Sequence, residues 1–93
     1  MTEQNPTQNS TEQRHLDANF STLILSVGSS AAMALGLGPN PVTGKVEKDL
    51  SVARFNIDLL LMLREKTKGN LLGDEEKFLN SLVTDLQMKY VQA

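Results

Sequence analysis

The sequence predicts an all-α protein of three helices, about 17–37, 45–67 and 74–91, forming a helical hairpin or a bundle that oligomerisation completes. Three observations carry this expectation. Residues 20–38 form an uncharged apolar block whose large side chains recur at helical spacing. Residues 45–93 carry eight positive and eight negative side chains, with apolar stripes at the same spacing. Between the two, Gly36, Gly38, Pro39 and Pro41 interrupt any helix.

The leader, residues 1–19, reads MTEQNPTQNSTEQRHLDAN and has a net charge of −2 from Glu3, Glu12, Asp17 and Arg14. It has almost nothing to bury, so it cannot offset the entropy of ordering and is expected to be a disordered polar tail. It lacks the basic start and apolar core of a signal peptide. The ordered domain is then expected to be residues 20–93.

In the first helix, Phe20, Leu23, Ile24, Val27, Ala31, Ala34 and Leu35 share one face, and Thr22, Ser26, Ser29 and Met33 share the other. Gly28, Ala32 and Gly36 recur every four residues along the flank, where another backbone could approach closely. Asp17 or Asn19 suits the N-cap. Nineteen uncharged residues nearly reach the length of a membrane span, so residues 20–38 have an alternative reading as an anchor. Five Ser or Thr and three Gly within them lower the hydrophobicity and favour a buried helix in a water-soluble assembly.

The connection GPNPVTGK, residues 38–45, superficially resembles a phosphate-binding loop. Five residues, not four, separate Gly38 from the Gly44-Lys45 pair, and Val46 stands where Ser or Thr would hold magnesium. The segment is better read as a rigid helix–helix connection, with Thr43 as cap of the second helix.

The second helix carries two apolar stripes. One is Val46, Leu50, Ala53, Ile57, Leu60 and Leu61; the other is Val52, Phe55, Leu59, Met62 and Leu63. A surface helix needs only one. Two stripes require two sets of neighbours, from its own chain or from another. Arg64, Lys66 and Lys68 then complement the negative helix end, and Gly69-Asn70 supplies a left-handed stop. The third helix is expected to be capped by Asp74 and to lay Phe78, Leu79, Leu82, Val83, Leu86 and Tyr90 on a core.

The same residues exclude several function classes. The chain has no Cys, which removes disulfides and cysteine-held zinc. Its net charge of −2 gives no basic excess for nucleic acid. His15 is the only histidine, with no second ligand to make a metal site. Glu75 and Glu76 are neighbours that point about 100° apart on a helix, so they do not act as a catalytic pair. No nucleophile stands with a base. No catalytic, cofactor-binding or metal-binding residue is therefore expected, and no cofactor.

FSTLILS at 20–26, the loop Pro39-Asn40-Pro41 with Thr43-Gly44-Lys45 running into VEKDL, Glu65-Lys66-Thr67-Lys68-Gly69-Asn70 and the closing Met88-Lys89-Tyr90-Val91 carry a resemblance. Over residues 20–92 the chain resembles an uncharacterised bacterial family of small helical proteins, a domain of unknown function. Val42 replaces an acidic residue usual there, and Asp74 a common threonine. The resemblance implies a soluble, cytoplasmic helical protein; it implies no activity, substrate or catalytic residue.

The resulting expectation is a non-enzymatic interaction or scaffold module that self-associates as a homodimer or a higher assembly. Its candidate interface residues are Phe20, Ile24, Gly28, Ala32, Gly36, Phe55, Leu59 and Met62. Another protein partner is a further expectation, nucleic acid is not, and the alternative is a membrane-attached protein. If a ligand site exists between chains, the loops with Asn40, Thr43, Gly44, Lys45 and with Lys66, Lys68, Gly69, Asn70 are where it would lie.

Overall fold

A computed structural model describes residues 17–93. The leader up to residue 16, His15 included, lies outside the described residues. The order is α1 (Phe20–Ala34), α2 (Leu50–Lys66) and α3 (Gly73–Gln92). The all-α, three-helix expectation holds, with shorter first and second helices than the sequence suggested.

α1 starts at Phe20 because Asn19 is extended there, and its Oδ1 accepts the Thr22 N–H at 2.9 Å. Of the two expected caps, Asn19 is the one used. α1 ends at Ala34, not 37. The Gly36 N–H donates to the Met33 carbonyl (3.0 Å) and the Leu37 N–H to the Ala32 carbonyl (3.0 Å). This pair of bonds is the Schellman motif, and Gly36 takes its left-handed position at φ +81°. The 15-residue helix is about 22 Å long, against about 30 Å of bilayer hydrocarbon. No helix among the described residues is long and apolar enough to cross a membrane.

The chain then turns back on α1. Leu35 pairs with Lys48 in an isolated antiparallel bridge, and the Asp49 N–H donates to the Ala34 carbonyl at 2.8 Å. These bonds hold Lys48 and Asp49 out of the helix, Asp49 in extended conformation, so α2 begins at Leu50 and not at Lys45. Its cap is Asp49, not Thr43: Asp49 Oδ1 accepts the Ser51 and Val52 N–H groups at 3.1 and 3.2 Å. Val46 thereby leaves the apolar stripe assigned to it and is exposed.

α3 begins one residue before the expected Asp74, which lies in its first turn. Leu72 is the N-cap residue; its own N–H donates to Glu75 Oε1 at 2.9 Å. Asp74, Glu75 and Glu76 place negative charge at the positive end of the helix dipole.

All three helices touch one another. The core is Ile24, Ala31, Ala34 and Leu35 with Ala53, Ile57 and Leu60 of α2 and Leu79, Val83 and Leu86 of α3. Gly28 is buried, and a Cβ there would stand 2.7 Å from Leu82 Cδ2. α3 therefore lies against the Gly28 side of α1. The fold is thin, 15 Å along its shortest axis against 44 and 36 Å, so most side chains lie near a surface.

Candidate interaction surface

α1 and α2, tied where the Asp49 N–H meets the Ala34 carbonyl, form a hairpin with two faces. Leu82 on Gly28 fixes α3 to one side of α1. A groove bordered by Ile57 and Leu61 of α2 and by Gln87 and Tyr90 of α3 fixes it to one side of α2. On the opposite side, Ser30 and Met33 of α1 adjoin Val52 of α2 around a shallow hollow. Successive residues rotate about 100° on a helix, so Phe55, Leu59 and Met62 continue from Val52 along this open face. Ala53, Ile57 and Leu60, on the other side of α2, are the residues that join α1 and α3 in the core.

Val52 is 45% exposed, Phe55 61% and Met62 43%, with Leu59 half-buried. A phenylalanine this exposed leaves apolar area in water that a partner could remove. Of the second stripe expected on α2, Leu63 instead packs on the chain's own core, while Val52, Phe55 and Met62 stay exposed among the described residues.

The structure sorts the candidate interface residues into two groups. Phe55, Leu59 and Met62 lie together on the open face. Ile24 is fully buried in the chain's own core and is corrected to a core residue. Phe20 and Ala32 are half-buried and pack on that core. The ridge Gly28–Ala32–Gly36 does not exist as a docking strip: Gly28 already receives Leu82, and Gly36 lies beyond the helix end. Small residues at four-residue spacing signal a close approach, and here that approach is made by α3. Leu23, expected on the core face, is 47% exposed.

The loop candidates build turns. Asn40 Oδ1 accepts the Val42 N–H at 2.8 Å, while the Asn40 N–H donates to the Lys45 carbonyl at 2.7 Å. Gly44 closes this loop at φ +73°. Thr43 Oγ1 accepts the Lys45 N–H at 3.3 Å, which accounts for it locally. At the other end, Thr67 Oγ1 donates to the Leu63 carbonyl at 2.6 Å and the Asn70 N–H to the Thr67 carbonyl at 2.8 Å. Gly69 has φ +83°, the left-handed stop its position implied. Lys45, Lys66, Lys68 and Asn70 are exposed. The 17 residues of α2, about 25 Å, separate the two loops, so they do not meet within one chain.

Sequence reasoning missed the hollow beside Val52, which Glu47 and Asp49 also line. Its signal was present: an acidic N-terminal edge next to an apolar stripe. With α2 expected to start at residue 45, Glu47 and Asp49 fall inside the helix and not at its edge. Among the described residues no group of three or more His, Cys, Asp and Glu side chains could hold a metal ion.

No curated protein and no solved structure gives a significant match to this chain. A family model does, over residues 17–92, from the residues leading into the Asn19 cap to the last residue of α3. With so much of its length matched, the chain belongs to the family described as a domain of unknown function, DUF1844.

Proposed function

We propose that this protein is a small homo-oligomeric interaction module of the cytoplasm, a scaffold or adaptor without catalytic activity. One observation carries the reading. Val52, Phe55, Leu59 and Met62 form a continuous apolar stripe on the hairpin face that α3 leaves open. A domain this thin gains stability by closing such a face against another chain. The reading assigns the loop residues structural roles and asks for no cofactor.

Light scattering on the full chain during size-exclusion chromatography, without detergent, tests it. The expected mass is a small multiple of 10.2 kDa that falls to one chain on dilution. A single chain at all concentrations up to the millimolar range overturns the reading.

A further inference from the structure

The open stripe continues past Met62. Val52, Phe55, Leu59, Met62 and Lys66 recur at spacings of three and four, the pattern of a two-helix seam. One end of this seam is a cation, Lys66. The other end is the hollow where Glu47 and Asp49 lie beside Val52 and Met33. Asp49 Oδ1 is committed to the helix cap, while among the described residues Glu47 Oε1 accepts a long contact from Asn40 Nδ2 at 3.4 Å. Neither acid and not Lys66 joins the ion pairs seen among the described residues, Arg54–Asp58 and Lys89–Asp85.

Resting on the self-association reading above, we infer that the occupant of this face is a second copy whose α2 runs antiparallel to the first. Lys66 of each copy then enters the acidic hollow of the other. A twofold axis level with residue 57 sets Phe55 against the partner's Leu59 and Val52 against the partner's Met62. Along the helix, Lys66 lies about 13 Å from that level and Asp49 about 12 Å on the opposite side, so the charged ends come into register together. Large side chains meet smaller ones in each layer, as close packing requires. A parallel pair would set Phe55 on Phe55, Lys66 on Lys66 and Asp49 on Asp49, with like charges at both ends. The seam is self-complementary only in the antiparallel sense.

The natural absence of cysteine makes orientation measurable. Full-length Val52→Cys and Met62→Cys variants are oxidised in a glutathione buffer, each alone and then mixed. Antiparallel pairing predicts a mixed cross-linked dimer and little cross-linking of either variant with itself, because its own copies lie about 15 Å apart along the axis. Separately, Lys66→Glu should weaken the dimer roughly tenfold, since the change acts twice across a twofold axis. Glu47→Lys should do likewise, and the two changes together should restore affinity. Circular dichroism verifies that each variant keeps its helices.

A dimer in which each cysteine variant links to itself and not to the other overturns the antiparallel arrangement and leaves self-association standing. A dimer with no cross-link in any mixture, or with no rescue by the charge swap, also overturns it. A chain that stays monomeric overturns both readings.

Discussion

Ala53, Ile57 and Leu60 lie on the same helix as Val52, Phe55, Leu59 and Met62, at the same spacing and with comparable apolar character. The Ala53–Leu60 set is closed by α1 and α3, with Leu60 fully buried. The Val52–Met62 set faces water on the other side of the hairpin. The position of α3 creates the difference, and α3 is placed by Gly28, whose missing side chain lets Leu82 approach α1. The two faces of one hairpin thus divide the work: one holds the chain together, and the other is available to a partner.

Breaking the closed face should produce the largest effect. Leu60→Ala leaves a cavity in the core that Ile24, Ala53 and Leu79 share, and should cost about 2–5 kcal/mol in chemical denaturation. For a domain of this size that approaches the whole stability, so the circular dichroism signal at 37 °C should fall markedly. Gly28→Leu should come next, at about 1–3 kcal/mol, because even its Cβ would crowd Leu82 Cδ2 at 2.7 Å. Its damage should be seen in the unfolding midpoint of the monomer. Unchanged stability with loss of the oligomer would place Gly28 at an interface instead of under α3.

The sequence made the helices legible and their partners much less so. Apolar spacing located all three, and Gly36 and Gly69 marked helix ends because no other residue adopts positive φ so readily. The start of α2 was not legible. Thr43 and Asp49 are both good caps, and the choice depends on the bridge between Leu35 and Lys48, a pairing between segments that local propensity does not encode. The open face was only half legible. Two stripes on α2 required two sets of neighbours, but which set came from the same chain depended on where α3 settled. Gly28 and Ile24 on α1 do mark close packing, but within the chain and not between chains.

The caps test whether α2 is held at its start as firmly as its core suggests. Asp49→Ala leaves the Ser51 and Val52 N–H groups without their acceptor and should cost about 1 kcal/mol. Asn19→Ala should cost a similar amount through the single bond to Thr22. Thr43→Ala should cost less than either, since its hydroxyl orders only the loop. Urea unfolding of the three variants ranks them, and a larger loss for Thr43 than for Asp49 would return the start of α2 to residue 45.

The smallest expected effect sharpens the comparison most. Phe55→Ala removes the bulkiest side chain of the open face, yet Phe55 is 61% exposed and fills no space in the core. Alanine is also the better helix former by several tenths of a kcal/mol, which offsets the modest burial lost. Measured where the chain is monomeric, the change in unfolding free energy should lie within about 0.5 kcal/mol of zero. Measured at high concentration, the same substitution should lower the midpoint, because the wild type alone then gains stability from binding its own copy. A residue that is silent in one measurement and strongly felt in the other belongs to the face between chains. A loss of equal size at both concentrations would instead place Phe55 among the residues that hold the single chain together.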